Sequence, residues 1–282
     1  MDKIFITTSS GNIGTELVKI LTTLGVEFTA GYNKDQPTDI TNCKQLNFDN
    51  YESLVNAFTG HQTLYLLLPD NEKVVEWAKS SIKAAQQAGV KHIVRSSGIN
   101  ADSNSSYEVF RTLGIIENLV KESGLNYTIV RPNSFFQNFV TYHSYSIKSG
   151  GLYLPQGNGQ VSYIDVKDVA LSVATILNNP KNHIGKIYTL TGTTAYDTNE
   201  IVKIITATIE KQVTYVSIPD NHYVETMRKY HLPQFNIDTL LSLYKADREG
   251  LNSIVTDTVK QLTGKEPNTF EAFISDKKEL LT

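Results

Sequence analysis

Short apolar runs alternate with amphipathic segments along the first two-thirds of the chain, and this alternation restricts the possible folds more than any other feature. Residues 3–8 are a first apolar run and predict a β-strand. The apolar residues that follow recur at helical spacing and predict a helix with one buried face: Ile13, Leu17, Ile20, Leu21 and Leu24. Gly25 ends this helix, and residues 26–32 predict a second strand. A repeated strand–helix pattern is typical of α/β proteins with a parallel sheet.

The same pattern continues to about residue 132. Further strands are predicted at residues 45–48, 63–68, 90–96 and 126–131, with helices at residues 51–58, 72–88 and 114–123. Pro132 ends the last of these strands, because proline cannot donate to a strand ladder and restricts the residue before it. Parallel crossover connections are nearly always right-handed. We therefore expect a Rossmann fold, a doubly wound parallel sheet with helices on both faces.

The rhythm changes after about residue 150. Gly150 and Gly151 open a turn-rich stretch, and the rest is mostly helical with isolated strands at residues 186–190 and 213–218. Asp197 followed by Glu200 is typical of a capping box that begins a helix. The sequence therefore predicts an NAD(P)-binding Rossmann domain over residues 1–150, to which residues of about 161–192 return. A smaller C-terminal substrate lobe is predicted over residues 151–282.

Charge and cysteine usage exclude several classes of protein. The 282 residues carry a formal net charge of −3, so nothing in the overall charge favours nucleic acid or an anionic membrane as a direct partner. Cys43 is the only cysteine, which excludes an intramolecular disulfide and a thiolate zinc cage, and no metal site is predicted. The longest apolar run, residues 64–69, is far shorter than the roughly 20 residues that span a bilayer. We expect a cytoplasmic protein.

The turn between the first strand and the first helix carries two glycines, Gly11 and Gly14. A helix start at this place presents backbone N–H groups to a pyrophosphate, and the helix dipole favours the negative charge. Gly11 leaves room for the phosphates, and Gly14 lets the helix pack closely on the strand. Thr8 replaces the first glycine of the full pattern. The alternative is a small-residue turn that binds no ligand, but its position directly after the first strand favours a dinucleotide site.

The end of the second strand bears on the choice between NAD and NADP. An acidic residue there binds the ribose 2′-hydroxyl, whereas a basic residue meets a 2′-phosphate. The strand ends in Tyr32, Asn33 and Lys34, with no carboxylate before Asp35. This favours NADP, with NAD possible, since Lys34 is also compatible with a solvated surface position.

Several segments, taken together, resemble the NmrA-like atypical short-chain dehydrogenase/reductases along nearly the whole chain. The resemblance is strongest to the branch of NADPH-dependent quinone reductases and ergot-alkaloid-type dehydrogenases. It is carried by residues 9–14, 88–98, 123–132, 135–139, 164–170 and 185–192. Two positions depart from the family pattern: Thr8 replaces a glycine, and Tyr32 stands where many members have an arginine for the 2′-phosphate.

The resemblance implies a set of cofactor-binding residues at the carboxyl ends of the strands. The pyrophosphate would be lined by Thr8, Ser9, Ser10, Gly11, Asn12 and Ile13. The adenosine end would meet Asn33, Lys34 and Asp49, and the ribose would pass beside Leu67, Leu68 and Pro69. The nicotinamide would be surrounded by Ser96, Ser97, Asn133, Ser134, Phe135 and Phe136.

No catalytic acid stands out. The usual Tyr-x-x-x-Lys pair of short-chain dehydrogenases occurs only as Tyr163 and Lys167, too far downstream to be presented by the expected strand. Arg111, near the place where several relatives have a His or Lys, keeps its charge and is a poor proton donor. Ser97 and Tyr107 are the remaining weak candidates, although Ser97 equally suits a cap or a cofactor contact.

A missing acid is compatible with transfer of hydride to a quinone, because alignment of donor and acceptor is the protein's main task. The segment after the last strand offers Phe136, Gln137 and Asn138 as substrate contacts. Several aromatic residues suit either a flat acceptor or the hydrophobic core: Phe110, Phe135, Phe136, Phe139, Tyr142 and Tyr145. The leading hypothesis is an NADP-dependent oxidoreductase acting on a small planar acceptor. The alternative is a non-catalytic redox sensor that reads the dinucleotide and binds a regulatory protein partner.

Overall fold

The computed structural model describes residues 3–34, 40 and 42–282. Its strands are β1 (Ile4–Ile6), β2 (Phe28–Tyr32), β3 (Cys43–Gln45), β4 (Thr63–Leu66), β5 (His92–Ser96), β6 (Asn126–Pro132), β7 (Gly151–Leu154), β8 (Ile187–Leu190) and β9 (Thr214–Ser217). Its helices are α1 (Asn12–Thr23), α2 (Tyr51–Phe58), α3 (Val74–Gln87), α4 (Glu108–Lys121), α5 (Gln137–Val140), α6 (Ser144–Lys148), α7 (Val166–Asn178), α8 (Thr198–Ile209), α9 (Asp220–Lys229), α10 (Gln234–Arg248), α11 (Thr258–Thr263) and α12 (Phe270–Asp276). No helix among these residues has the length and apolarity needed to cross a membrane.

Seven strands form one sheet in the order β3-β2-β1-β4-β5-β6-β8. The pairs β1–β2, β1–β4, β2–β3, β4–β5 and β5–β6 are parallel. The order 3-2-1-4-5-6 is that of doubly wound dinucleotide-binding sheets, in which ligands bind outside the carboxyl ends of the strands. The Rossmann fold predicted from the sequence is confirmed.

Two elements differ from the sequence prediction at glycines, namely the start of α4 and the strand β7. Helix α4 begins at Glu108 rather than near Gly114. Gly114 lies inside the helix, at a place where the helix packs closely on the loop before it: a Cβ there would lie 2.1 Å from the backbone N of Ser103. Strand β7 lies in the stretch predicted as turns. Gly150 alone makes the turn, with φ at +87°, and Gly151 already belongs to the strand.

The chain folds into two compact units, and the first contains residues up to 105, 110–132 and 169–189. Its core packs one face of the sheet, through Phe5, Leu64 and Ile93, against apolar residues of the helices α3 and α4 such as Ile82 and Ile116. These strands are buried on every residue of β1, β4 and β5, which is why their sequences read as continuous apolar runs.

The second unit contains residues 106–109, 133–168 and 190–282. It is mostly helical, with one two-stranded parallel sheet formed by β7 and β9. Its core is rich in aromatic rings, among them Phe136, Phe139, Phe270 and Phe273. The capping box predicted at Asp197 is present and begins α8, since Asp197 and Glu200 each accept the other's backbone N–H.

Candidate functional site

The turn that joins β1 to α1 leaves a helix start without a side-chain cap. Gly11 occupies the N-cap position in an extended conformation, makes no side-chain cap and is followed by no acidic residue in the first turn. The first N–H groups of a helix have no partner within the helix, and the dipole makes this end positive. The turn therefore has the chemistry of an anion site, as the sequence predicts for a pyrophosphate.

The two glycines of this turn have different tasks. A Cβ at Gly14 would lie 2.1 Å from the carbonyl O of Thr8 and 2.7 Å from the Cα of Ser9, so the helix touches the strand end there. A Cβ at Gly11 would meet only Thr8 atoms, at 3.3 and 3.6 Å. Gly14 is required for packing, whereas Gly11 keeps space open outside the helix start.

Two threonines join the carboxyl end of β1 to the segment after β4. The Thr8 hydroxyl donates to the carbonyl O of Leu67 at 2.7 Å. The Thr7 hydroxyl donates to the same oxygen at 2.5 Å and accepts from the N–H of Leu67 at 2.9 Å. Thr8, which replaces the family's first glycine, thus has a structural use, and the backbone of Leu67 is held beside the turn. Leu68 is buried and Pro69 half-buried.

Ser9 and Ile13 lie where the sequence places them, but their side chains face inward. Ser9 is 2% exposed, and its hydroxyl donates to the carbonyl O of Gly31 at 2.8 Å, as does its backbone N–H at 3.3 Å. Ile13 is buried on the inner face of α1. This burial leaves Ile13 only its backbone N–H for a ligand, while the side chains of Ser10 and Asn12 are exposed.

At the end of β2, Asn33 and Lys34 are both exposed. The carbonyl O of Asn33 accepts from the Gln45 side chain at 2.9 Å, which ties it to β3. Lys34 therefore presents its ammonium group to solvent at the place predicted for a 2′-phosphate. Asp35, the first carboxylate after this strand, lies outside the described residues.

Asp49, predicted near the adenine, belongs to a small cluster of side chains. It accepts from the indole N–H of Trp77 at 3.0 Å and from the Lys73 ammonium at 3.2 Å. These two donors hold the pKa of Asp49 below its ordinary value. Trp77 also stacks on Phe48, with ring centroids 5.5 Å apart. Residue 49 is thus fixed by an aromatic pair that sequence reasoning missed, although Trp77 is the only tryptophan of the chain.

A buried carboxylate organises the residues that follow β5. Glu117 of α4 is 1% exposed and accepts from Ser97 at 2.8 Å, from Arg131 at 2.6 and 2.8 Å, and from Lys121 at 3.2 Å. Burial raises the pKa of Glu117, but the hydrogen bonds from Arg131 and Ser97 outweigh it and the pKa lies below its ordinary value. Glu117 is therefore ionised at neutral pH.

This network bears on Ser97 as a candidate acid. The Ser97 proton is directed to the Glu117 carboxylate, so in this arrangement the hydroxyl oxygen offers lone pairs rather than a proton. Ser96, the neighbouring predicted residue, is buried at the end of β5. The roles of Arg131 and Glu117 were not predicted, although a charged pair within otherwise apolar segments is a signal of buried pairing.

Tyr107 and Tyr163, the two tyrosines considered from the sequence, are poor proton donors. Glu249 accepts a hydrogen bond from Tyr107 and raises its pKa. Tyr163 is buried and its hydroxyl pairs with Gln156, while burial raises its pKa. Lys167 instead lies 3.7 Å from the Asp276 carboxylate. Tyr163 and Lys167 thus have different partners, in line with their spacing being chance.

The segment after β6 uses its polar groups within the second unit. Asn133 is buried, and its amide donates to the Ser162 hydroxyl at 2.8 Å and to the Asn252 carbonyl at 2.9 Å. Its side-chain oxygen accepts from the N–H of Ser134 at 2.8 Å. The side chain of Asn133 is thereby occupied, whereas Ser134 and Phe135 are half-buried.

The predicted substrate residues divide between core and surface. Phe136 is 1% exposed and packs on Phe270 and Phe273 at ring distances of 5.2 and 5.5 Å, so it is a core residue rather than an open ring face. Gln137 donates to the Asp165 carboxylate at 2.7 Å and accepts from a backbone N–H at 3.1 Å. Both side chains are thus engaged inside the unit, and their role as substrate contacts stays a prediction. Asn138 is half-buried.

The aromatic stripe is also divided. Phe139 lies in the core, whereas Tyr142 and Tyr145 are 79% and 78% exposed. The regular spacing from Phe135 onward does not persist as one helical face, because α5 covers only Gln137–Val140. The available aromatic surface of this segment therefore belongs to the two tyrosines.

Gly31 is a further residue that sequence reasoning missed. A Cβ there would lie 2.4 Å from the Leu46 side chain and 2.8 Å from the carbonyl O of Ile6, and its own carbonyl holds Ser9. A glycine inside a strand signals such a close approach, so the signal was present in the sequence.

The sheet order and the close contact at Gly14 define a Rossmann-type α/β protein, in which the first helix begins without a side-chain cap. The NmrA-like family model matches residues 3–274, and the chain belongs to this family. It is similar to an NAD(P)H azoreductase of Xenophilus azovorans, with 30% identity over 280 residues that cover 96% of each protein.

Two solved structures are similar over nearly the whole chain. A nucleoside-diphosphate-sugar epimerase of Staphylococcus aureus has a TM-score of 0.88 and 26% identity, covering 98% of this chain and 100% of that one. An NADPH-dependent quinone oxidoreductase of Escherichia coli, in complex with NADPH, has a TM-score of 0.87 and 21% identity, covering 97% and 99%. At that identity the second likeness shows the fold alone.

Proposed function

We propose that the protein is an NAD(P)H-dependent oxidoreductase that reduces a small planar acceptor such as a quinone or an azo compound. The observation that carries the proposal is the uncapped, open helix start at Gly11, in the place where this fold binds a dinucleotide pyrophosphate. The similar NAD(P)H azoreductase supports the chemistry, because its name describes reduction of an azo compound with a nicotinamide cofactor.

The first unit has the residues to hold the cofactor. The backbone N–H groups at the start of α1 and the exposed Ser10 and Asn12 would bind the pyrophosphate. Leu67, fixed by the two threonine hydroxyls, would flank the ribose, and Asp49 would lie at the adenine end. When bound, the cofactor supplies a hydride, the two-electron reductant that such acceptors need.

The protein's own contribution is orientation rather than proton transfer. Ser97, whose proton is engaged by Glu117, would accept a hydrogen bond and so orient a donor group of a ligand. The acceptor's protons would then come from solvent, which suits a quinone because its reduced form needs no strong acid. In the second unit, the exposed Tyr142 and Tyr145 and the half-buried Asn138 are proposed as acceptor contacts, because their side chains are more accessible than that of Phe136.

Steady-state oxidation of NADPH with a series of quinones and azo dyes tests the activity. We expect saturable oxidation that depends on the acceptor. Gly11→Val should abolish it by filling the space at the helix start, whereas Thr15→Ala, on the exposed side of the same helix, should keep most of it. Tight NADP binding without turnover of any acceptor would instead favour the regulatory dinucleotide sensor, and absence of binding would contradict both functions.

The preference for NADP is proposed to rest on Lys34. A charge-assisted bond to a phosphate contributes about 1.5–3 kcal/mol, and solvent exposure of Lys34 reduces this to about 1 kcal/mol, so Lys34→Ala should weaken NADP binding about fivefold. NAD binding should not change. Calorimetry with both cofactors on Lys34→Ala and on the exposed control Lys91→Ala measures this. Equal affinities of the unmodified protein for NAD and NADP would contradict the preference.

A further inference from the structure

A polar cavity lies in the first unit at the amino-terminal edge of the sheet, the edge opposite the β1–α1 turn. It has a volume of about 320 Å³ and is lined by residues at or before the starts of β1, β2 and β3 and by the loop after α2. We call it the amino-edge cavity and define it by Lys3, Glu27, Thr29, Asn42, Lys44 and His61. The amino ends of parallel strands share one edge, so this cavity is separate from the predicted cofactor residues at the carboxyl ends.

Two lysines give this cavity an excess of positive charge. Lys3 and Lys44 are exposed at its rim, and Glu27 is the single carboxylate among the described residues that line it. Within residues 3–34, 40 and 42–282, neither ammonium group forms an ion pair with a carboxylate. The field of both lysines reaches the wall of the cavity, where they add to the effect of burial in lowering the pKa of His61.

His61 is a fixed part of this wall. It is 7% exposed, and its ring nitrogens lie 3.2 Å from the carbonyl O of Phe58 and 2.9 Å from the Thr29 hydroxyl. A neutral ring that donates to Phe58 and accepts from Thr29 satisfies both contacts. Burial is the main cause that lowers the pKa of His61, and the two lysines lower it further. The ring is therefore neutral at pH 7. His61 is therefore held in place as a neighbour of whatever binds between the lysines.

We propose that the amino-edge cavity binds a small organic phosphate through Lys3 and Lys44. Lysine binds phosphate as a point charge, whereas planar carboxylates are matched better by the fork of an arginine, which this cavity lacks among its lining residues. The Asn42 side chain provides a polar group, and the half-buried Phe28 ring provides an apolar wall for a carbon skeleton. The volume is at the lower end of small-molecule sites, so the ligand is compact.

The imidazole of His61 provides a local reporter of binding. An anion between the lysines would offset their repulsion of the imidazolium, so the pKa of His61 should rise on binding. NMR titration of the His61 ring with inorganic phosphate and with glycerol phosphate, at constant ionic strength and with saturating NADP, measures both affinity and this shift. NADP fills the predicted cofactor turn, so the response reports the amino-edge cavity. We expect a saturable change and tighter binding of the ester.

Matched lysine variants distinguish a site from general screening. Lys44→Gln and Lys3→Gln should each weaken phosphate binding about fivefold, as expected for a charge contact at the surface. Lys91→Gln removes a lysine that precedes β5 at the same edge but does not line the cavity, and it should leave affinity unchanged. A response equal to that with chloride, or one that all three variants share, would overturn the proposal. Since the test needs no turnover, its result is independent of the proposed oxidoreductase activity.

Discussion

The turn after β1 in the first unit and the interior cluster around Asn133 in the second use polar side chains in opposite ways. At the carboxyl end of β1, the hydroxyls of Thr7 and Thr8 donate to the carbonyl of Leu67 after β4, and that of Ser9 donates to the carbonyl of Gly31 in β2. These bonds shape the turn and leave the N–H groups at the start of α1 without a side-chain cap. Polar side chains here build a frame, and the backbone carries the groups that remain for a ligand.

In the second unit, polar side chains bond mainly to one another and to nearby backbone in the interior. Asn133 donates to Ser162 and to the carbonyl of Asn252, and the Asn252 amide donates to the Asp247 carboxylate at 2.6 Å. All four residues are at most 3% exposed. The difference teaches that a polar residue in a family motif is not by itself a ligand contact, because its side chain can already be hydrogen-bonded inside the protein.

The largest expected effect is a loss of stability, and it distinguishes a core residue of the second unit from an exposed one. Phe136→Ala should lower the free energy of unfolding by about 3–5 kcal/mol, because it removes a ring packed between Phe270 and Phe273. Tyr142→Ala should leave stability nearly unchanged and lower acceptor turnover instead. Urea denaturation and turnover per folded molecule measure both variants. A Phe136→Ala variant that stays stable but loses turnover would restore its predicted role at the substrate.

The next largest effect is also on stability, and it distinguishes Gly14 from Gly11 in the turn of the first unit. Gly14→Ala should cost about 3 kcal/mol, at the upper end for overpacking, since its Cβ would lie 2.1 Å from a backbone oxygen. Gly11→Ala should be tolerated, because the nearest atom would be 3.3 Å away. Thr15→Ala, on the exposed side of the same helix, is the control. If Gly14→Ala and Gly11→Ala had equal stability, the division of tasks between the glycines would be wrong.

The last effect concerns pH and the buried Asp247. Burial raises the pKa of Asp247 to about 7, so the folded state holds this proton more tightly than the unfolded state does. Its contribution to stability is therefore complete below about pH 4, the ordinary carboxyl range, and is lost as the pH rises to about 7. Asp247→Asn should flatten this part of the stability profile.

A variant of a second buried carboxyl group, Asp168, tests whether Asp247 causes this pH dependence of stability. Burial also raises the pKa of Asp168, to about 6, so Asp168→Asn should flatten a window that closes at lower pH. Thermal unfolding at pH 5, 6, 7 and 8 compares the two variants with the unmodified protein. If stability rose from pH 5 to 7 in the unmodified protein and Asp247→Asn abolished the rise, the sign of the argument would be refuted.

The sequence predicted those features that depend on residues close together along the chain. The order of strands and helices, the turn at Gly11 and Gly14, and the capping box at Asp197 follow from local spacing. The engagement of Ser9 and Asn133 could not be predicted, because their partners, Gly31 and Asn252, are 22 and 119 positions away. The ligand roles of the predicted site residues stay predictions.

The return of the chain to its first sheet has a consequence for synthesis on the ribosome. The edge of β6 pairs with β8, and the N–H of Ile129 bonds to the carbonyl of Lys186 at 2.9 Å. Until residues 186–190 emerge, the growing chain carries β6 as an open edge, which is a template for pairing with other chains. A gene fragment ending at residue 150 would keep that edge for good. The N-terminal half of this protein is therefore unsuited to be cut out and fused elsewhere as a module.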